Sequence, residues 1–304
     1  MNRIDLKFSA LRALRQKGFI VYISAGDPNL TATAKLARDF ERIGVDVLEL
    51  GVPFSDPLAD GVVNQLAAER ALQSGTTLAR VITMVAGLRR TGCEIPVVFY
   101  IYYNLIHRYG VARFAKAAAA AGVDGILALD LPPEEAGSYE TELRAAGLHP
   151  IYLISPTTPV KRIAEICRHA GGFIYYVSRE GVTGMQTTIS NSIAPMIAKI
   201  RKHTDLPIAI GFGISTPQQA RAVAVQADAC IVGSAIVNQI AKKGNVAAFV
   251  TPLVKAVKSD SCAHCSCEPA RGSAGKCHSS ANREQARGYK TTLKTRSKPV
   301  KSRR

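Results

Sequence analysis

A glutamate inside an apolar strand and two aspartates in the loop after it are the side chains best placed for proton transfer. Glu49 lies in Val45-Asp-Val-Leu-Glu-Leu-Gly51, where period-two alternation sets it beside Val45 and Val47 and away from Leu48 and Leu50. Burial penalises a charged carboxylate, so Glu49 is either paired or tuned toward a higher pKa for proton transfer. A buried glutamate bonded to backbone or a neighbouring base is the plainer alternative, and both stay open here. The loop Pro53-Phe-Ser-Asp-Pro-Leu-Ala-Asp-Gly61 adds Asp56 and Asp60. Asp60 precedes a helical stretch, and capping that helix would also explain it. A strand-end glutamate and a loop aspartate in one mouth can divide acid and base work between two environments.

Three glycine-bearing segments point to an anion: Arg179-Glu-Gly-Val-Thr-Gly184, Gly211-Phe-Gly-Ile-Ser215 and Gly233-Ser-Ala235. Glycines let backbone N–H groups approach a phosphate, and Gly233-Ser234 opens a helix whose dipole favours negative charge. Each segment alone also reads as a turn. Further candidates near strand C-termini are Tyr22, Tyr100, Tyr102, Asn104, Leu127, Asp130, Tyr175 and Phe212. Most would serve as barrel filling, but aromatic walls with a few polar tips suit a flat aromatic substrate. His107, His149, His169 and His203 read as isolated surface or helix-end residues, so no metal site is expected in the body.

The elements that must position these groups follow from apolar runs at Phe19–Ser24, Asp46–Gly51, Pro96–Ile101, Asp124–Asp130, Pro150–Ile154, Phe173–Ser178, Pro207–Gly211 and Ala229–Gly233. Helical spacing separates them, including Thr31–Ile43, Val111–Ala121, Glu134–Ala146, Val160–His169 and Pro217–Gln226, with an extra helix over Val62–Gln73 before Leu78–Arg89. Eight βα units predict a (β/α)8 TIM barrel, with an open doubly wound sheet as the alternative. An amphipathic N-terminal helix with Phe8, Leu11 and Leu14 on its buried face precedes the first strand. That placement puts the three glycine segments after strands six, seven and eight, where such barrels bind phosphate.

The chain has 304 residues, 47% of them hydrophobic, which is enough for a large core and excludes disorder throughout. No uncharged stretch is apolar enough to span a membrane, so a soluble protein is expected. Residues 258–304 carry +9 of the +16 formal charge and four of the seven cysteines. They lack apolar periodicity, which predicts a barrel over 1–257 and a disordered, basic, Cys-containing tail over 258–304. Cys262, Cys265, Cys267 and Cys277 with His264 and His278 could form a zinc cluster, since Cys262 and Cys265 have ligand spacing, but the adjacent Cys277-His278 is not a familiar closing pair and a disordered appendage is the favoured reading. Scattered Cys93, Cys167 and Cys230 suit a reducing cytoplasm. A nucleic-acid role would rest on the tail alone and is not expected.

Leu48-Glu-Leu-Gly-Val-Pro-Phe-Ser-Asp-Pro-Leu-Ala-Asp-Gly61 resembles the signature of the tryptophan synthase alpha chain family. Tyr102-Tyr-Asn-Leu105, Ser178-Arg-Glu-Gly-Val-Thr-Gly184, Gly211-Phe-Gly-Ile214 and Gly233-Ser-Ala-Ile-Val237 agree with later motifs, covering roughly residues 1–257. The resemblance implies retro-aldol cleavage of indole-3-glycerol phosphate to indole and glyceraldehyde 3-phosphate. It implies Glu49 as the proton shuttle and Asp60 as the acceptor at the indole N–H. It further implies phosphate binding by Gly184, Gly213, Gly233 and Ser234 beside Phe212, with Tyr175 and Thr183 supporting the carboxylates. Tyr22, Tyr102, Asn104, Leu127 and Arg179 complete the expected surroundings. No cofactor is implied for this chain. Pyridoxal phosphate belongs to a beta chain that receives indole in an α2β2 assembly, and Pro53, Asp56 and loop 179–189 match regions that face it. Val62-Val63-Asn64 departs from the Pro-Thr or Pro-Val of many relatives, which puts the rigidity of the Asp60 loop in question. Another phosphate-binding barrel enzyme should show a mouth lysine, and a nonenzymatic barrel should lack Glu49 or Asp60. This chain does neither.

Overall fold

The computed structural model describes residues 2–178, 193–211 and 213–259. Its strands are β1 (Gly18–Ser24), β2 (Val47–Gly51), β3 (Val97–Ile101), β4 (Gly125–Ala128), β5 (His149–Pro150 and Tyr152–Ile154), β6 (Ile174–Val177), β7 (Ile208–Gly211) and β8 (Ala229–Val232). The helices are α1 (Arg3–Ala13), α2 (Leu30–Ile43), α3 (Val62–Gln73), α4 (Leu78–Arg90), α5 (Tyr103–Tyr109) and α6 (Val111–Ala121). They continue as α7 (Gly137–Ala145), α8 (Val160–His169), α9 (Ile193–Arg201), α10 (Pro217–Ala224), α11 (Ser234–Ala241) and α12 (Val246–Lys258).

Every strand pairing is parallel, and β1 lies between β2 and β8. The ring closes through β5, whose first segment pairs with β4 and whose second pairs with β6. The segment expected as Pro150–Ile154 is therefore one stave that changes partners at Ile151, where the backbone N–H still donates to Ile126 O at 2.9 Å. Strand propensity in that stretch is right, but a change of partner leaves no mark on apolar spacing.

Register sets the two faces. Ile20 stands opposite Val47 and Tyr22 opposite Glu49. Ile20, Val47, Val98, Leu127, Phe173, Ala209 and Ala229 form the barrel interior, while Leu48 and Leu50 join the layer between strands and helices. Burial on both sides explains the near-continuous apolar strands. The expected alternation at Glu49 holds with Val47, whereas Val45, which precedes β2, packs in the outer layer with Leu48 and Leu50.

Helix α1 closes the N-terminal end of the barrel, packing Ile4, Phe8 and Leu11 into the interior cluster. Leu14 is a correction: it is the C-cap, 62% exposed, because the helix stops at Ala13 and the buried stripe runs 4, 8, 11. The extra helix before β3 is present as α3, with α4 after it. The stretch expected as Glu134–Ala146 is instead a short 3-10 turn, Pro133–Glu135, followed by α7.

At the other end of the chain, α12 runs to Lys258, one residue beyond the expected boundary. The Lys258 ammonium donates to Gly44 O at 2.7 Å and to Asp46 Oδ1 at 3.1 Å, tying the last helix to the start of β2. The tail beyond, with its cysteines and histidines, lies outside the described residues. Among those described, Cys93, Cys167 and Cys230 are free and buried. No helix among them is long and apolar enough to cross a membrane.

Candidate active site

Glu49 is 0% exposed, two residues above Val47 on the interior face, and neither carboxylate oxygen has a hydrogen-bond partner among the described residues. Desolvation pushes its pKa from the ordinary carboxylate range up to about 8, so it is a neutral acid near pH 7. The plainer reading of a paired buried glutamate is thus set aside. Burial raises the phenols of Tyr22 on β1 and Tyr175 on β6 well above their ordinary range, with the neighbouring Asp60 and Glu49 carboxyl groups adding to the effect. Both tyrosines need a glycine beside them. A Cβ on Gly51 would collide with the Tyr22 hydroxyl, and one on Gly211 with that of Tyr175.

Asp60 is gripped from β3 and its extension: Tyr100 Oη donates to Oδ1 at 3.1 Å and Tyr102 Oη to Oδ2 at 3.0 Å. The Tyr102 oxygen in turn accepts the Ala59 N–H at 2.9 Å, and Gln65 Nε2 donates to Asp60 O at 2.8 Å. Desolvation raises the pKa of Asp60, with the bonds from Tyr102, Tyr100 and Asn64 opposing it. The loop around Asp60 is therefore held by hydrogen bonds to side chains from β3, its extension and α3. Capping does not account for Asp60, because the N-cap of α3 is Gly61 and no side chain caps it. Asp56 is exposed and accepts from Ser55 Oγ at 2.5 Å.

Two cavities share this mouth, meeting at Tyr100, Tyr175 and Val177. One, about 550 Å³, is lined by Tyr22, Gly61, Asn64, Gly213, Gly233 and Ser234 among others. Ser234 starts α11 with no side-chain cap, leaving first-turn N–H groups for an anion. The other, about 580 Å³, runs past Leu58, Leu129, Asp130, Leu153 and Ile154. The first ends at the uncapped start of α11, and the second mixes apolar side chains with Asp130, Ser155, Thr158 and Arg162.

Of the remaining candidates, Leu127 fills the barrel interior at 1% exposure, and Asn104 is exposed on α5; neither lines these cavities. Asp130 lines the second and accepts the Tyr103 N–H at 2.7 Å. Arg179, Thr183, Gly184 and Phe212 lie outside the described residues. Two histidines are not isolated as expected: His149 meets the Asp5 carboxylate at 2.9 Å, and His169 bridges Glu140 and Glu165. No cluster of three metal-ligating side chains occurs among the described residues. Sequence reading missed Asn64 as part of the site. Its position four residues after Asp60, one helical turn on, was the available signal.

A family model described as "Tryptophan synthase alpha chain" matches residues 8–261. The chain belongs to the tryptophan synthase alpha chain family. It is accordingly an enzyme of tryptophan biosynthesis. The alpha chain of Opitutus terrae is 49% identical over 260 residues, covering 86% of this chain and 97% of that protein. That of Laribacter hongkongensis is 48% identical over 244 residues, covering 80% and 92%. Among solved structures, the alpha subunit of Legionella pneumophila str. Paris superposes with a TM-score of 0.76 at 39% identity, covering 84% of this chain and 98% of that one. An aminoacrylate-bound form of tryptophan synthase from M. tuberculosis gives 0.77 at 29% identity, covering 85% and 100%. The solved structures share the barrel described above, and the family model ends at residue 261, just before the first cysteine of the tail, Cys262.

Proposed function

We propose that this alpha chain cleaves indole-3-glycerol phosphate to indole and glyceraldehyde 3-phosphate, a carbon–carbon lyase reaction of the retro-aldol type. The observation that carries the reading is the contrast of two carboxyl groups that flank the same tyrosines, Tyr22 and Tyr175. Glu49 is sealed, unpartnered and neutral, whereas Asp60 is held by two tyrosine hydroxyls. Protonated Glu49 gives its proton to indole C3, forming a C–H bond and an indoleninium whose N1–H carries the charge. Asp60 accepts that N1–H and stabilises the cation. Glu49, now a base, takes the proton of the hydroxyl on the carbon attached to C3. That oxygen's electron pair becomes the aldehyde C=O as the carbon–carbon bond breaks, and the bonding pair restores the neutral indole ring. The ring nitrogen is the electron sink, so the reaction asks for no metal or Schiff base, and this chain works without a cofactor of its own.

Gly213, Gly233 and Ser234 hold the phosphate, with Gly184 and Phe212 as further phosphate contacts; Tyr22 and Tyr175 wall the reacting carbons, and Arg179 and Thr183 take supporting roles. The indole passes to a pyridoxal-phosphate beta chain in an α2β2 assembly, facing Pro53, Asp56 and loop 179–189. Three unpaired body cysteines support a cytoplasmic setting.

The test is indole release from indole-3-glycerol phosphate. Glu49→Gln and Asp60→Asn should each fold and lose on the order of 100- to 10,000-fold in rate. Near wild-type rates in E49Q would remove Glu49 from the chemistry. Adding a beta chain should accelerate the wild type by favouring the ordered loops, and equal rates with a bound beta chain would refute the partnership.

A further inference from the structure

The proton transfers above leave two polar side chains in the cavity wall without a task. Asn64, the third residue of α3, lines the 550 Å³ cavity with Tyr22, Gly213 and Gly233. Its amide N–H is what a carboxylate selects, so Nδ2 serves Asp60, since the amide oxygen there would meet another anionic oxygen. That orientation leaves Asn64 Oδ1 buried with no donor among the described residues.

Ser178, just after β6, lines the same cavity and is 6% exposed. Its N–H donates to Gly211 O at 3.0 Å, fixing it beside the glycine end, yet its Oγ is buried with no partner among the described residues. Buried polar atoms are nearly always hydrogen-bonded, because an orphan forfeits its bond to water. Two orphans on one cavity wall, one an acceptor and one able to donate or accept, are complementary to hydroxyl groups. The two ends differ: Asn64 stands with Asp60, where the ring nitrogen binds, and Ser178 stands with Gly211, near the phosphate-binding glycines.

We propose that Asn64 and Ser178 are specificity-determining contacts to the hydroxyl-bearing chain of the substrate, with Asn64 Oδ1 accepting one hydroxyl and Ser178 Oγ bonding the other. This assignment rests on the indole-3-glycerol phosphate reading. It makes the site selective for a hydroxylated link over a bare alkyl link of the same length. Neither residue moves a proton of the reaction.

The experiment compares two ligands across full-length wild type, Ser178→Ala and Asn64→Leu. One is indole-3-glycerol phosphate, followed by indole release; the other is 3-(indol-3-yl)propyl phosphate, which keeps ring and phosphate but has no hydroxyl, followed as an inhibitor. Loss of one neutral hydrogen bond should raise KM by roughly 2- to 12-fold in each variant, with the inhibition constant of the hydroxyl-free analogue held within about twofold. N64L should also lower kcat, since Asp60 loses a donor, whereas S178A should act on KM alone. Equal weakening of both ligands would make the residues merely structural, and an unchanged KM in both variants would overturn the proposal. S178A removes a single oxygen and carries the test if N64L fails to fold. A wild type that releases no indole refutes the underlying reading; wild-type release with unaltered variants refutes only this one.

Discussion

A carboxylic acid sealed inside a barrel ties stability to pH as well as chemistry. Free glutamate loses its proton near 4.5, while folded Glu49 keeps its proton to about 8, because burial penalises the charge. Between those values the folded state binds more protons than the unfolded state, so stability falls as pH rises through the window. Glu49→Gln has no proton to lose. The two proteins should be equally stable near pH 4.5, and E49Q should pull ahead by an amount on the order of a few kcal/mol by pH 8.5, as read from urea denaturation at each pH. A constant difference across that range would mean that Glu49 is paired in the folded chain. Although Val45, before the strand begins, faces the outer layer, the inward direction of Glu49 is legible from alternation with Val47, since period two is a local property. The grip on Asp60 is not, because Tyr100 and Tyr102 come from forty residues away and only the closed barrel brings them to the loop.

The same division between local and distant information governs the elements. Helices and strands recur where apolar spacing places them, because each must bury a face against the barrel. Their ends depend on neighbours. The α1 stripe illustrates this: Phe8, Leu11 and Leu14 fit one helical face, but the helix turns off at Ala13 and leaves Leu14 in solvent. Phe8 instead lies under the barrel with its ring 5.9 Å from that of Phe173. Phe8→Ala should therefore cost about 3–5 kcal/mol in denaturant unfolding, as for other large-to-small changes in a packed core. Leu14→Ala should stay within about 0.5 kcal/mol. Comparable losses in both would restore Leu14 to the core and contradict the described end of α1.

At the scale of the whole molecule, what matters is where the barrel stops needing chain. Composition places the limit at Val257, where apolar residues give way to Lys, Ser and Cys. The contacts place it slightly later. Lys258 reaches back to Gly44 O and Asp46 Oδ1, and Asp46 also accepts the Phe19 N–H at 2.9 Å, so one lysine secures the carboxylate that links β1, β2 and α12. Asp46 is 3% exposed, and removing Lys258 leaves this nearly buried charge with only the longer Lys7 contact, at 4.0 Å, as its cation among the described residues. Two truncations one turn apart should thus behave differently. A chain ending at Ser259 should keep the thermal stability and indole release of the full length. One ending at Val257 should lose about 1.5–3 kcal/mol, the usual worth of a charged hydrogen bond. Both should bind polyanions less at low salt, since most of the +9 carried by residues 258–304 is gone. If the Ser259 truncation melts as early as the Val257 one, the tail supports the barrel through contacts other than Lys258; if neither melts earlier than full length, the Lys258 bridge contributes nothing to stability.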